Sequence, residues 1–401
     1  MRGLVLFLLA LFWGWAPPVW VSAALADPGP VLNEVHAPGQ SPARPGQTGA
    51  PPPTRPGRYQ IRTVAAGLAR PWAIAFLPGG RALITERGGA MRIIDTGGAV
   101  SAPLTGLPAI RKGELGGLFD VALDPRFART GRIYFTFLEQ RGSLSGIAIA
   151  RATLDADRLA LRDVRVIFRA RPDMDKDTNL GGRLLFGRDG MLYATIGDRF
   201  EGDQAQRLDS DLGKVIRITA DGAIPPDNPF VHRPGALPEI YALGLRNPEG
   251  IVRSADGRIW TAENGPKGGD ELNLIRKGAN YGWPVITYGR GYDDKPIGIG
   301  TAAPGFVQPV YYWDPSIAPS GFAIYDRAPV PDWRGNILIA SLKGQHVARL
   351  VMRAGRVVAE EQILGELKAR IRDVRQGPDG AFYVLTDEDQ GRLVRVMPLP
   401  N

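Results

Sequence analysis

Cysteine is absent from the sequence, and histidine occurs only three times in 401 residues. No disulfide can therefore support the fold, no lipid-modified N-terminal cysteine can anchor it, and stability must come from core burial. The chain also lacks a basic run interleaved with aromatic residues, although its formal net charge is +8. Nucleic acid is therefore excluded as the main partner, whereas the charge is compatible with anionic ligands or surfaces.

The N-terminal apolar run is too short to cross a membrane. It covers residues 3–16, follows the positive charge of Arg2 and ends at a pair of prolines, whereas a span takes about 20 apolar residues. A positive charge, an apolar run and a small-residue end at residues 24–26 are together typical of a secretory signal peptide. We predict that residues 1–26 are removed before Asp27, which leaves a periplasmic or secreted protein without a membrane span. An uncleaved anchor is the alternative.

The next segment, residues 27–57, is dense in proline and glycine and poor in apolar residues. A segment of this composition buries too little surface to order itself. We predict a flexible or partly extended linker, and we do not expect His36, which lies in it, to be catalytic.

From residue 58 onward the chain repeats one unit, a β-rich run, a turn near Asp-Gly or an equivalent glycine, and a second β-rich run. The six copies begin at Trp72, Leu118, Arg183, Gly250, Gly321 and Arg372. Each copy is followed by a further strand candidate, and such spacing is typical of propeller blades. We predict an all-β fold, a six-bladed β-propeller that forms one domain over residues 58–401. A pair of β-sandwiches is the alternative, and it would not explain six related turns.

The strand candidate Tyr59–Ala65 is left over in front of the first copy, while the last copy has few strands behind it. Pairing the two would remove an open sheet edge. The N-terminal strand is therefore predicted to complete the final blade and close the ring.

Residues 245–284 contain a turn whose composition suits a cation. Glycine and proline punctuate residues 265–269, and the acidic pair Asp270 and Glu271 follows directly. Because Pro266 has no N–H and glycine reaches backbone angles closed to other residues, consecutive carbonyls can face one cavity. Carbonyl and carboxylate oxygens are the ligands that Ca²⁺ prefers. An ordinary tight turn with a solvated acidic pair is the alternative.

Loops at one mouth of a propeller converge, so charged and amide residues from distant loops can meet there. The candidates are Asn179, Arg183, Arg246, Asn247, residues 264–271, Lys343, Arg370 and Arg372. Together they predict a basic mouth beside an acidic turn. Such a mouth suits a planar ligand with several negative charges, bridged by a cation.

At these residues the chain resembles a known family. The segments GLFDVALDPRF, GGRLLFGRDGMLYATIGDR, LRNPEG, ENGPKGGDELNLI, NYGWP, SLKG and RIRDVRQGPDG occur in order between about residues 58 and 398. They are similar to those of the soluble pyrroloquinoline quinone (PQQ)-dependent aldose sugar dehydrogenases, the glucose/sorbosone dehydrogenase family. The resemblance implies a six-bladed propeller that uses PQQ and Ca²⁺ to oxidise a small sugar or alcohol. It leaves the electron acceptor unidentified.

The resemblance also implies roles for the basic and amide residues. Arg246 and Asn247 would lie at the quinone, where Arg246 polarises the carbonyl that receives hydride. Lys343, Arg370 and Arg372 would pair with the carboxylates of the cofactor.

Calcium positions follow from the same resemblance. The carbonyls of Gly265 and Pro266 would hold the ion that bridges to the cofactor, with Asn264 alongside. Glu271 and the backbone at Tyr281 would hold a second, structural calcium.

One departure from the family lies at Asn179, which stands where a histidine acts as general base. Asparagine accepts no proton at neutral pH, so another group must take the proton from the sugar hydroxyl. The candidates are Asp177 and Asp175 by proximity, and His232 and His346 by chemistry. A carboxylate serves as a base where burial raises its pKa.

Three functions therefore follow from the sequence. The first is an exported PQQ-dependent dehydrogenase for an aldose sugar or related alcohol. The second is a noncatalytic, calcium-supported propeller that binds a carbohydrate or a partner. The third is a calcium-dependent hydrolase of the lactonase kind on the same architecture.

Overall fold

The computed structural model describes residues 24–25, 35–327 and 329–400. Six separate antiparallel sheets follow one another along the chain and form a six-bladed β-propeller. The predicted fold class is thereby confirmed. The predicted signal peptide lies outside the described residues, except for positions 24 and 25. No helix in the described part of the chain is long and apolar enough to cross a bilayer.

The strands of the first half follow in chain order. They are β1 (Ala24–Leu25), β2 (Arg58–Leu68), β3 (Pro71–Phe76), β4 (Ala82–Glu86), β5 (Ala90–Ile94), β6 (Leu118–Leu123), β7 (Arg132–Arg141), β8 (Leu144–Asp155), β9 (Ala160–Arg169), β10 (Gly181–Phe186), β11 (Leu192–Ile196) and β12 (Lys214–Ile218). Blade 1 contains β3 to β5, blade 2 contains β6 to β9, and blade 3 begins at β10.

The second half completes the ring. Its strands are β13 (Ile240–Leu243), β14 (Pro248–Arg253), β15 (Ile259–Glu263), β16 (Asp270–Ile275), β17 (Tyr311–Trp313), β18 (Pro319–Tyr325), β19 (Asn336–Ser341), β20 (Val347–Arg353), β21 (Arg356–Ile363), β22 (Ile371–Gln376), β23 (Phe382–Thr386) and β24 (Gly391–Leu399). Blade 3 ends with β13, blade 4 contains β14 to β17, and blade 5 contains β18 to β21. The helical elements are short: α1 (Phe127–Thr130) and the 3₁₀ turns Gly202–Gln206, Pro331–Trp333 and Gly365–Leu367.

Blade 6 combines both ends of the propeller. Strand β2 pairs antiparallel with β24, and the register places Tyr59 opposite Pro398 and Leu68 opposite Gly391. The predicted closure by an N-terminal strand is therefore confirmed. Strand β1 adds to the outer edge of β2, where Leu25 lies opposite Arg58.

Arg183 joins the blades at the centre of the ring. Its side chain is buried and contacts the first strand of every other blade. The partners are Trp72 in blade 1, Asp120 in blade 2, the Glu249 carbonyl in blade 4, Ser320 in blade 5 and Asp373 in blade 6. Arg183 was expected at the channel mouth, but the structure places it in the packed interior, because blades meet most closely at their first strands.

Residues 35–57, called the strap below, lie against blades 4 and 5. Ala37 N donates to the Asp314 carboxylate at 3.0 Å, and Gly57 N donates to Glu361 at 3.0 Å. Between them, the buried Gln47 side chain donates to the Pro309 carbonyl at 2.9 Å. Polar partners on the propeller thus hold the strap in place of the apolar core that it lacks.

Candidate active site at one mouth of the propeller

The geometry of an antiparallel blade decides which residues share a mouth. The start of the first strand and the end of the second strand lie at the same end of each blade. Charged and amide residues within two positions of these points include Arg70, Asn179, Arg246, Asn247 and Arg370 before first strands, and Arg87, Asp198, Asn264, Lys343 and Asp387 after second strands. Backbone hydrogen bonds join the two groups, for example Asn264 N to Asn247 O at 3.1 Å and Asp387 N to Arg370 O at 2.8 Å.

Arg246 is held over the glycine- and proline-containing turn. Its Nη1 donates to the carbonyls of Asn264 and Gly265, each at 2.9 Å. Its backbone N–H donates to the Glu263 carboxylate at 2.6 Å. The Gly265 carbonyl, which the resemblance implied as a calcium ligand, therefore accepts from the Arg246 guanidinium in this structure.

Asp270 organises this turn. Its buried carboxylate accepts hydrogen bonds from Gly265 N, Ser316 Oγ, Ile317 N and Ala318 N at 2.7–2.8 Å. Burial raises the pKa of Asp270 to about 6, although these four donors oppose the shift. The acidic pair is thus not solvated, and Asp270 ties blade 4 to blade 5.

Glu271 points instead into a small cavity beside the turn. The cavity, of about 10 Å³, is lined by Glu271, Glu263 and Tyr281 among others, and this volume is enough for about one water-sized occupant. Asn273 Nδ2 donates to Glu263 at 2.8 Å and to Glu271 at 3.1 Å, whereas the buried Asn273 Oδ1 has no partner in the described structure. Burial and then the Glu271 carboxylate raise the pKa of Glu263, and burial raises the pKa of Glu271 to about 7. Such an enclosed set of oxygens fits a hard cation.

A second cavity, called the cleft below, opens beside Arg246 and has a volume of about 150 Å³. Its polar lining residues are Asn179, Asp198 and Arg246, and its apolar ones are Phe200, Pro266, Trp283, Tyr292 and Ile297. The Arg246 guanidinium lies 5.5 Å from the Phe200 ring and 5.5 Å from the Trp283 ring. A largely apolar cleft with a few fixed polar groups is typical of a small-molecule site.

Asn179 and Asp198 meet inside the cleft. Asn179 Nδ2 donates to Asp198 Oδ1 at 2.8 Å. Gly197 permits this approach, because a Cβ at that position would lie 1.9 Å from the Asn179 carbonyl. Asn179 itself has a φ of +46°, a left-handed conformation that asparagine tolerates better than most residues.

The other candidate bases lie elsewhere. Asp177 pairs with Arg111 at 3.2 Å and is not among the residues that line the cleft. The Asp175 carbonyl accepts from the same arginine at 3.2 Å. His232 is exposed, whereas His346 is buried with Nδ1 2.9 Å from the Gly344 carbonyl.

Cations concentrate on the side of the mouth opposite the turn. We call Arg70, Arg87, Lys343, Arg370 and Arg372 the basic rim. Arg372 Nη2 donates to the Asp387 carboxylate at 2.8 Å, and Arg370 Nε lies 3.7 Å from the same group. Arg372 Nε is buried and has no partner in the described structure, while burial lowers the pKa of Arg87. The rim therefore presents donors that an anionic ligand can satisfy.

Further contacts connect the rim to blade 4 and to the strap. Asn247 Nδ2 donates to Asn264 Oδ1 at 3.2 Å and to Glu249 at 3.0 Å, and Arg372 donates to the other Glu249 oxygen at 2.7 Å. Lys343 Nζ, on an exposed side chain, lies 3.3 Å from His36 Nε2. The strap thus reaches the edge of the site.

Residues 68–395 match the family described as glucose/sorbosone dehydrogenase. The aldose sugar dehydrogenase YliI of Escherichia coli is 40% identical over 86% of this chain and 94% of that protein.

The chain belongs to the glucose/sorbosone dehydrogenase family.

Solved structures of the family agree with the fold. The apo-form of the soluble aldose sugar dehydrogenase of E. coli superimposes with a TM-score of 0.83 at 39% identity, over 85% of this chain and all (100%) of that one. The PQQ-bound form of the Streptomyces coelicolor aldose sugar dehydrogenase gives a TM-score of 0.71 at 29% identity, over 86% of this chain and 99% of that one.

The sequence analysis did not identify several residues of the candidate site. They are Arg87, Asp198, Phe200, Glu263, Trp283 and Tyr292. The strand-end rule would have found Arg87 and Asp198, since both follow the second strand of a blade. Tyr292 lies in a long loop between β16 and β17 and carries no comparable signal.

Proposed function

We propose that the protein is an exported dehydrogenase that oxidises an aldose sugar or a related alcohol and transfers hydride to PQQ, with Ca²⁺ as second cofactor. The observation that carries this proposal is the position of Arg246, between the aromatic cleft and a turn whose carbonyl faces its guanidinium. PQQ supplies, when bound, the quinone carbonyl that accepts the hydride.

The basic rim would bind the carboxylates of the cofactor. Arg370 and Lys343 have exposed side chains, whereas Arg372 is buried and held by Glu249 and Asp387. Hydrogen bonds between such cations and carboxylates are about twice as strong as neutral ones. Family membership and the PQQ-bound relative support this assignment.

Arg246 would stabilise the charge that develops on the oxygen next to the accepting carbon. The carbonyls of Gly265 and Pro266 would hold Ca²⁺ beside it, with Asn264 alongside. The Gly265 carbonyl now accepts from Arg246 Nη1, so both cations would share one face of the turn. Fixed positive charge at such a point is usually the largest single contribution to catalysis.

Aromatic side chains would bind the sugar. The Phe200 and Tyr292 rings are stacked at 6.1 Å with an angle of 14° and remain 45% and 63% exposed. Tyr292 OH also lies 3.5 Å from Arg246 Nη2. These rings would cover the apolar face of a sugar and keep water from the reacting atoms.

The small cavity would hold a second Ca²⁺ with a structural role. Glu271 and the backbone at Tyr281 are its proposed ligands, and Glu263 lies within the same cavity. Two buried carboxylates in one cavity favour a divalent cation, because it neutralises both.

Reconstitution tests the proposal. PQQ is titrated into the purified protein with Ca²⁺ or with a chelator, and the quinone absorbance is followed before dye reduction is measured with a panel of aldoses. We expect binding that requires Ca²⁺, and dye reduction with at least one aldose. Failure to bind PQQ would contradict the proposal. Binding without turnover of any sugar or alcohol would favour the noncatalytic alternative, and calcium-dependent lactone hydrolysis would favour the hydrolase.

Export has a separate test. The protein is produced with its full N-terminus, and the mature chain is recovered from the periplasm or the medium and sequenced from its N-terminus. We expect it to begin at Asp27. Cleavage there would remove β1 and leave β2 as the outer strand of blade 6. A chain that keeps residues 1–26 in the membrane fraction would show an anchor instead.

A further inference from the structure

The cleft contains one carboxylate, and it is fixed by three donors. Asp198 Oδ1 accepts from Asn179 Nδ2 at 2.8 Å and from Phe200 N at 2.9 Å, while Oδ2 accepts from Trp283 Nε1 at 2.8 Å. A carboxylate oxygen has two lone pairs. Oδ2 therefore retains acceptor capacity beside the cleft.

Proton transfer in this site needs such an acceptor. Oxidation of an alcohol releases a hydroxyl proton, and the Asn179 amide cannot take it. The three histidines do not line the cleft. His346 is sealed in the interior, His232 is exposed, and His36 accepts from Ser316 N at 3.1 Å on the strap.

We infer that Asp198 is the proton acceptor of the oxidation, and that Asn179 is a positioning residue that holds the Asp198 carboxylate. This inference rests on the proposed function. The substrate hydroxyl would lie against Asp198 Oδ2, with its carbon facing Arg246.

The reaction balances with the quinone as oxidant. The substrate C–H bond breaks with its electron pair passing to the quinone of bound PQQ. The O–H bond breaks with its proton passing to Asp198 Oδ2, and the carbonyl bond of the product forms. The sugar is oxidised by two electrons, the quinone is reduced by two, and the Asp198 proton leaves to solvent through the cleft mouth.

Three charged residues lie near Asp198. The backbone N–H of Asp198 donates to the Arg246 carbonyl at 2.8 Å, so the arginine of blade 4 lies directly beside it. Lys176 and Glu263 also interact with it electrostatically, with opposite signs. Tyr292 is the remaining titratable group that lines the cleft.

Two substitutions test the inference, with kcat/KM measured across pH and PQQ affinity measured by absorbance. For Asp198→Asn we expect kcat/KM to fall about 100-fold or more, with PQQ affinity changed less than about threefold. The matched control is Asp189→Asn in the same blade, whose carboxylate accepts from Tyr193 OH and Arg217 outside the cleft. We expect that control to change kcat/KM less than about twofold.

The second substitution, Asn179→His, should change the pH dependence of kcat/KM, which would stay the same if Asn179 had only a structural role. It places an imidazole between the substrate and Asp198, so the acid limb of the pH profile should move upward by about one unit or more, toward pH 6.5 where imidazoles titrate.

The outcomes distinguish the role of Asp198 from the proposed function. The role of Asp198 would be overturned if Asp198→Asn were as active as the unaltered chain, or if Asp177→Asn lost turnover instead. Either result would leave the proposed function standing. An unchanged pH profile in Asn179→His would contradict the positioning role. No turnover by the unaltered chain with any aldose or related alcohol would overturn both.

Discussion

The guanidinium groups of two arginines in this propeller, Arg183 and Arg246, lie over aromatic rings, yet they differ in how their charge is compensated. The Arg183 guanidinium lies 3.1 Å from Asp373 and 3.8 Å from Asp120. No carboxylate of the described residues forms a salt bridge with the Arg246 guanidinium, which donates to two carbonyls instead. A neutralised, enclosed arginine supports the ring, whereas an uncompensated one beside a cleft remains available to a ligand.

The largest effect on stability is expected at the neutralised arginine. In Arg183→Met, the buried Asp373 and Asp120 carboxylates keep only Arg375 as a shared counter-charge. One buried negative charge is then uncompensated, which costs about 3–5 kcal/mol of unfolding free energy. Denaturant unfolding measures it. A loss no greater than that of Arg246→Met would remove the distinction between the two arginines.

The converse experiment concerns activity. Arg246→Met removes the positive charge at the proposed reaction centre, so kcat/KM of the PQQ-loaded protein should fall by about 100-fold to 1,000-fold. The unfolding free energy should fall less than in Arg183→Met, since no buried carboxylate loses its partner. Activity within about twofold of the unaltered chain would place the chemistry elsewhere.

A smaller effect of the packed interior depends on pH. Burial lowers the pKa of His346 to about 4, whereas an unfolded histidine titrates near 6.5. Between these values the unfolded chain binds the proton and the folded chain does not, so stability falls as pH falls through this window. Between pH 7 and pH 5 the loss is about 2 kcal/mol. The raised pKa values of Asp270 and Glu271 act in the opposite direction over this range, so the His346 contribution is the difference in pH dependence between the unaltered chain and His346→Leu. Denaturant unfolding of both proteins at both pH values should show that difference.

The smallest effect is expected where the strap joins the propeller. Gln47→Ala removes the buried contact to Pro309 and leaves its partners unsatisfied, at a cost of about 1–2 kcal/mol. Limited proteolysis should then cut the strap sooner. Gln40→Ala is the matched control, because Gln40 makes a single 3.3 Å contact to Gly289 from a half-buried position. Equal protease sensitivity in both variants would contradict the role of Gln47.

Sequence reasoning recovered the ring because each blade repeats a local pattern. The six turns and the unpaired strand candidate Tyr59–Ala65 can each be recognised in the sequence. The structure adds the pairing of that strand with the last one. The predicted location of Arg183 was wrong, because the sequence pattern around a charged residue at a repeat boundary does not show whether it faces solvent or pairs with a buried group such as Asp373. Sequence reasoning could not identify the partners of the strap, because they lie more than 200 positions away along the chain.

The sequence by itself determined the fold class, the family, and the residue types gathered near one mouth, because strand periodicity and motif order are local properties. Only the tertiary structure decided which of these side chains are neutralised and which face open space. It turned Asp177 toward Arg111 and brought Asp198 against Asn179. Which side chains contact each other depends on how neighbouring blades pack, and no local sequence pattern indicates these contacts.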